Sequence, residues 1–226
     1  MSTRRCLRGS LLSLALLLGG CGGDDWDFLT GDFGDPPRVQ PTSPTRQILF
    51  STASLDGMVF NTGAGVTLGG RPMVGDLDTT LQGSHARQFF SFELGSLPSS
   101  ITLVSARLEL HQATVRGTPF ATLGNVVLEA VDYGTSLEAG DFDVAPLSGG
   151  ALGLSTDPTL GTKQLDVLPI LDDAVQQGRP RWQIRLRFSA LGSDADHITD
   201  AVEFGDAETS TPGSLAPRLI VEFRQP

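Results

Sequence analysis

The alternation of apolar and polar residues with a period of two limits the fold of this chain more than any other feature. In the segment SARLELH (105–111) every second residue is apolar, and Arg107, Glu109 and His111 fall on the opposite side. Three further segments alternate in the same way: QFFSFEL (88–94), RWQIRLRF (181–188) and PRLIVEF (217–223). One buried face and one hydrated face are typical of strands in antiparallel sheets, so the pattern predicts an all-β chain.

Further strands are predicted at 48–52, 58–61, 126–133, 162–167 and 201–204, and many of the 27 glycines and 14 prolines lie between the strands. One short helix is expected where Pro169 begins a helical spacing that Gly178 ends. About nine strands and one short helix favour an antiparallel two-sheet jelly-roll sandwich. Because the two cysteines are Cys6 and Cys21, the folded region has no internal disulfide and no four-cysteine zinc site.

The charge of the chain limits its partners. The formal net charge is −10 at pH 7. A surface of this sign repels phosphate backbones, so we expect no nucleic-acid partner. It suits a protein that binds neutral ligands or divalent cations, although solubility alone also explains an acidic surface.

The N-terminus has the features of a secretory signal. Arg4, Arg5 and Arg8 precede an apolar run at 11–18. A helix that spans a bilayer needs ~20 apolar residues, so this run is too short for a permanent transmembrane segment. We therefore predict a signal peptide over residues 1–20.

The end of that signal, Leu18-Gly19-Gly20-Cys21, resembles the lipobox of bacterial lipoproteins. The resemblance implies cleavage between Gly20 and Cys21 and a diacylglyceryl lipid on the Cys21 sulfur. The mature protein would then be held by membrane lipid in a bacterial cell envelope. Gly22, in place of an aspartate, favours the outer over the inner membrane if the cell is a diderm. The alternative is an ordinary secretory signal with an incidental cysteine.

Residues 21–47 are predicted to form a flexible acidic linker. The segment from Gly22 to Gln47 holds five aspartates and four prolines and has no apolar periodicity. A single β-sandwich domain is expected to follow over residues 48–226.

The order of motifs in that domain resembles the DNRLRE-type domains of bacterial envelope proteins. The motifs are RQFFSFELGSLPSSITLVSARLEL, VVLEAVDYGTSLEAGDFD, LDVLPILDDAVQQGRPRWQIRLRF, AVEFGDAET and APRLIVEF. The resemblance covers about residues 55–224 and implies a jelly-roll module related to carbohydrate-binding modules. It implies binding of a polysaccharide or another envelope polymer.

No catalytic motif stands out, since GxSxG, HExxH and a P-loop are all missing from the sequence. We therefore expect a non-catalytic binding module. Phe89 and Tyr133 are the candidate ligand-binding aromatics, expected to be exposed on a sheet face or rim. Each could instead pack at a sheet edge.

Carboxylates cluster at 138–143 and at 194–200. Calcium takes six to eight oxygen ligands, so Asp194, Asp196 and Asp200 are the candidates for a calcium site. A solvated acidic turn is the alternative reading of the same loop.

Two other functions stay open from the sequence. A structural or adhesion lipoprotein would contact protein partners through an apolar patch. A polysaccharide hydrolase or lyase would use paired carboxylates, whose separation the sequence does not reveal.

Overall fold

The computed structural model describes residues 43–61, 65–69, 71–77, 84–190, 192, 196–205 and 215–226. The strands are β1 Thr45–Phe50, β2 Gly57–Phe60, β3 Val66–Leu68, β4 Met73–Asp76, β5 His85–Glu93, β6 Thr102–Arg116, β7 Val126–Val131, β8 Ala151–Ser155, β9 Gly161–Asp166, β10 Arg181–Phe188, β11 Asp200–Phe204 and β12 Arg218–Arg224. The helices are α1 Pro119–Thr122 and α2 Leu168–Gln176, and short 3-10 segments lie at Ala53–Leu55 and Ala139–Asp143.

Every strand pairing is antiparallel. The main strand order is β1-β12-β6-β11-β4-β5-β10-β7-β8, with β9 added to β6 and the β2–β3 pair added to β5. We name β1, β12, β6 and β9 the front sheet, and β2, β5, β10 and β7 the back sheet. The short β11 and β4 join the two sheets. The prediction of an all-β antiparallel sandwich with a short helix is confirmed.

The main core lies between the two sheets. Leu108 and Leu219 of the front sheet and Phe90 and Ile184 of the back sheet are fully buried. These are the inward positions that the alternation predicts. Burying such side chains stabilises the fold by about 1.5–3 kcal/mol each, so the alternating segments hold the two sheets together.

Helix α2 closes one end of this core and confirms the predicted helix. It begins at Leu168, with Pro169 in its first turn, and it packs Ile170 and Leu171 into the core. Gly178 follows the helix with φ +63°, a conformation that glycine adopts without steric cost. The four-residue α1 is a second, shorter helix beyond the one predicted.

Candidate functional site

A groove on the outer face of the front sheet is the main candidate site. Its residues come from every strand of that sheet because cross-strand registers align them in rows. Ile48 lies opposite Ile220, Ile220 opposite Arg107, and Arg107 opposite Asp166. Side chains that lie directly opposite each other have Cβ atoms about 4.5–5.5 Å apart, so each row is a continuous band across the sheet.

This front groove has a volume of about 530 Å³. Its lining includes the side chains of Arg46, Ser105, Arg107, Asp166, Ile220 and Glu222. Most of them are exposed, and Ile220 forms an apolar base that is 7% exposed. The groove is therefore open to solvent and presents polar groups around an apolar base.

A β-bulge shapes one side of the groove. The register between β12 and β6 shifts between Glu222 and Phe223, which pair with Ser105 and Leu103. Val104 is left between them, and both Val104 and Ser105 are exposed. A bulge re-aims side chains at the surface of a sheet, and here it turns two successive residues toward the groove.

Hydrogen bonds fix the polar side chains at one end of the groove. Glu109 is nearly buried and accepts hydrogen bonds from Arg218 at 2.6 Å and from Gln164 at 3.1 Å. Arg107 forms an ion pair with Glu109 at 3.2 Å, while its side chain stays 47% exposed. A shared carboxylate thus holds Arg107 and Gln164 in place while leaving donors available to a ligand.

The charges of the groove balance. Arg46 and Arg107 carry positive charge, and Asp166 and Glu222 carry negative charge. Glu222 accepts a hydrogen bond from Ser105 Oγ at 3.0 Å. The groove therefore offers donors and acceptors in similar numbers, although the chain as a whole is acidic.

Exposed apolar side chains lie beside the groove on β1 and in its lining at Val104 of β6. Ile48 is 42% exposed, Phe50 is 51% exposed and Val104 is 38% exposed. Isolated exposed apolar residues are ordinary, but several beside a polar groove are typical of binding surfaces.

The expectation that Phe89 and Tyr133 are exposed is wrong. Phe89 is fully buried and Tyr133 is 6% exposed. They pack edge to face, with ring centroids 5.5 Å apart, in a second core cluster on the outer face of the back sheet. The Tyr133 hydroxyl donates to the Leu55 carbonyl at 3.0 Å, and burial raises the pKa of Tyr133 well above its usual value, with the Asp56 charge adding to the effect.

Residues 133–144 explain this burial, because they fold over the back sheet as a cover that we name the strap. Arg185 donates to the carbonyls of Phe142 at 3.0 Å and Val144 at 2.8 Å. Arg87 also donates to the Phe142 carbonyl, and its guanidinium lies 3.9 Å from the centroid of the Phe142 ring. Two arginines of the sheet therefore hold the strap by its backbone.

Glu129 offsets part of the positive charge of this buried cluster. It receives hydrogen bonds from Arg185 at 2.6 Å and from Arg187 at 2.7 Å. Burial alone would raise the pKa of Glu129, but the bonds from the two arginines outweigh it and hold the pKa below its usual value. For Arg87, burial and the charge of Arg185 lower the pKa. The cluster is a structural lock for the strap.

Acid should weaken this lock. Because the folded-state pKa of Glu129 lies below its ordinary value of 4.5, the unfolded chain binds the proton first as the pH falls. The stabilisation is complete above about pH 4.5 and is lost as the pH falls toward the folded-state pKa. Glu129→Gln is expected to flatten this acid limb in urea unfolding between pH 3 and pH 7. Parallel curves for the variant and the wild-type chain would contradict this assignment.

The predicted calcium ligands have other roles where the structure describes them. Both oxygens of Asp200 are engaged, one by the Thr118 N–H and the other by Thr122 Oγ1 at 2.8 Å. Asp196 accepts from the Ile198 N–H at 2.7 Å. Asp194 lies outside the described residues, and among the described residues no group of three acidic, histidine or cysteine side chains could hold a metal ion.

Gly117 has the backbone conformation that brings Asp200 to Thr118. Its φ is +65°, and a Cβ at this position would lie 2.0 Å from Asp200 Oδ1. A side chain would therefore collide with the carboxylate that ties the start of β11 to α1. Asp200 is a structural residue at this junction.

The predicted lipid anchor lies outside the described residues. This applies to Gly20, to Cys21, to the whole signal segment and to the linker up to residue 42. No helix in the described part of the chain combines the length and the apolar character that crossing a bilayer requires. Lipid attachment at Cys21 stays a prediction.

A scan against protein-family models finds no family for this chain, and a search of curated proteins finds no relative. The function is therefore inferred from the geometry of the site.

Sequence reasoning did not identify the groove residues. The alternation placed Arg107 on the outward side of β6, and it also placed Glu222 outward on β12. Nothing in the sequence brought these two strands together with β1 and β9. The signal that could have found the groove is a run of outward-facing charged and amide residues on several strands at once.

Proposed function

We propose that this protein is a non-catalytic binding module that holds a neutral polysaccharide in the front groove. The observation that carries the proposal is the charge-balanced band of donors and acceptors above an apolar base at Ile220. Sugar rings have apolar faces and hydroxyls that both donate and accept, so they complement such a surface. The resemblance to DNRLRE-type domains supports the same class of ligand.

The shape of the groove favours a polymer. It extends across β1, β12, β6 and β9. Neighbouring strands lie about 4.8 Å apart, so the groove crosses about 14 Å of sheet and is long enough for more than one sugar ring. Its open sides let a chain continue in both directions.

The charge of the protein favours a neutral polymer over a polyanion. The net charge of −10 repels polyanions, and Arg46 and Arg107 are offset by Asp166 and Glu222 within the groove. Retention on neutral polysaccharides should therefore change little between low salt and 0.5 M salt.

We propose further that the module is tethered to a bacterial envelope membrane through Cys21. The lipobox-like sequence supports this, and an anchor with two acyl chains binds a bilayer firmly, since each buried methylene contributes ~0.8 kcal/mol. The outer membrane is the favoured location in a diderm cell, because Gly22 follows the cysteine.

The test is a pull-down of the full chain carrying Cys21→Ser on a panel of insoluble neutral polysaccharides. We expect retention on at least one of them and release by the soluble form of the same polymer. Retention on none of the panel would count against the proposal.

Arg107→Ala is the variant that assigns binding to the groove. Removing this guanidinium takes away the exposed donor that Glu109 holds in place. We expect binding to weaken about tenfold, which corresponds to about 1.4 kcal/mol. Arg224→Ala, an exposed arginine at the end of β12 outside the groove, is the matched control and should bind like the unmodified chain. Equal affinities for the two variants would place the binding elsewhere.

A second candidate function is protein binding along β1, favoured by the exposed Ile48 and Phe50 on an edge strand. An extended peptide can add a strand to such an edge. Photo-crosslinking from position 50 in whole cells would trap that partner. A crosslink to protein, together with no retention on any polysaccharide, would favour this function over the first.

A further inference from the structure

A second cavity lies at the end of the sandwich that α2 covers. One face of α2 borders it with Ile170, Asp173, Ala174 and Gln177, which recur at helical spacing. The opposite wall is the start of β10 at Trp182. Because Ala174 has only a methyl side chain, the helix leaves an end pocket of about 350 Å³ beside the sheet.

The base of the end pocket is apolar and firmly packed. Ile170 is 2% exposed, Ala174 is 4% exposed and Trp182 is 1% exposed. The Trp182 indole N–H is buried and has no acceptor among the described residues. Because this nitrogen is sealed from solvent, Trp182 contributes to the packing under the pocket, and its N–H can report on what occupies the space above it.

The rim of the end pocket is polar and held in place by hydrogen bonds. Arg179 donates to Asp132 at 2.9 Å and to Gln177 Oε1 at 3.0 Å. These two bonds fix its guanidinium between the end of β7 and the end of α2. Asp173 accepts a hydrogen bond from Ser148 on the same rim.

The rim of the end pocket offers both hydrogen-bond donors and acceptors, as the adjacent hydroxyls of a sugar require. Arg179 and Gln177 supply N–H donors, while Asp132 and Asp173 supply carboxylate acceptors. A hydroxyl can accept a hydrogen bond from a guanidinium and donate one to a carboxylate at the same time. Two adjacent hydroxyls of a sugar can therefore bridge an arginine and a carboxylate of the rim. Arg179 pairs with Asp132 at 2.9 Å, and Arg181, the other arginine of the lining, pairs with Glu93 at 2.6 Å. Both arginines of the lining are therefore already balanced, which disfavours an anionic ligand. Pockets for small molecules combine an apolar base with a few convergent polar groups in this way, at volumes of about 300–1,000 Å³.

We infer that the end pocket is a second binding site, which takes the terminal ring of a neutral saccharide. The inference rests on the proposed function for the class of ligand only, since no lining residue is shared with the front groove. The two sites would bind different parts of the ligand. The front groove holds the middle of a polysaccharide chain, and the end pocket holds a chain end or a short oligosaccharide.

The test uses Trp182 as its own reporter. The chain has two tryptophans, Trp26 and Trp182, so Trp26→Phe in the full chain leaves one indole N–H signal in a nitrogen-15 NMR spectrum. The probes are glucose, galactose, N-acetylglucosamine and their disaccharides maltose, lactose and chitobiose. We expect at least one of them to shift the Trp182 signal in a saturable way.

Two variants separate the end pocket from the groove. Arg179→Ala should weaken the saccharide that shifts Trp182 at least tenfold, because the rim loses its fixed donor. Arg107→Ala should leave that affinity unchanged while it weakens polysaccharide binding in the groove. No shift with any probe, an Arg179→Ala variant that binds as before, or a shift that Arg107→Ala abolishes would each overturn the inference.

Discussion

Arg185→Met is expected to lower the free energy of unfolding by about 3–5 kcal/mol, the usual cost of breaking a buried ion pair. The Arg185 side chain is 5% exposed and donates to Glu129 and to the carbonyls of Phe142 and Val144. The substitution leaves Glu129 short of one partner and the Val144 carbonyl without this donor, while the Phe142 carbonyl keeps only the bond from Arg87. Urea unfolding at pH 7 measures the change.

Two further variants show whether the loss comes from the lock itself. Arg187→Met removes a guanidinium that is 19% exposed, makes one bond to Glu129 and one to the Phe188 carbonyl, and does not hold the strap, so it should cost clearly less. Arg185→Met combined with Glu129→Leu removes both partners of this ion pair, so it should cost less than the two single substitutions added together. The recovery is partial, because Arg87 and Arg187 keep their charges without the Glu129 carboxylate. A loss below about 1 kcal/mol for Arg185→Met would show that the strap does not depend on this arginine.

Cys21→Ser is expected to move the protein from the membrane fraction to the soluble fraction almost completely. The serine hydroxyl cannot form the thioether, so the chain would lose both acyl groups and their contribution of ~0.8 kcal/mol per buried methylene. Cell fractionation with metabolic labelling by a palmitate analogue measures the change.

Cys6→Ser is the matched control, since it alters the only other cysteine in the chain. It should be labelled and retained like the unmodified protein. A Cys21→Ser chain that still carries the lipid label would refute the lipobox interpretation.

Local signals in the sequence were sufficient for the core and the main helix. The alternation in β6 and β12 assigned Leu108 and Leu219 to the buried side, where the structure places them. Helix α2 could be predicted because Pro169 and Gly178 mark its ends. These features depend on residues a few positions apart.

The burial of the outer face of the back sheet depends on a distant segment and could not be predicted. Phe89 and Arg185 lie on the outward side of their strands, which the alternation indicates correctly. That side is shielded from water because the strap folds over it. Phe142 of the strap lies 43 residues before Arg185 in the chain. A strand pattern shows which residues share a face and does not show what covers that face.

The front groove escaped prediction for a related reason. It depends on the register that aligns Ile48, Ile220, Arg107 and Asp166 in one row. A shift of one residue in any of these strands would send its side chains to the other face. Register follows from the whole fold, so the groove appears only when the strands are paired.

Polysaccharide affinity of a chain whose groove is blocked tests the central claim most directly. Ser105→Trp places a large ring beside Glu222 in the groove, and Thr156→Trp places the same ring on an exposed loop away from it. Titration calorimetry with the polysaccharide that retains the protein should show binding lost for Ser105→Trp and unchanged for Thr156→Trp. Unchanged binding by a correctly folded Ser105→Trp chain would contradict the assignment of the front groove as the binding site.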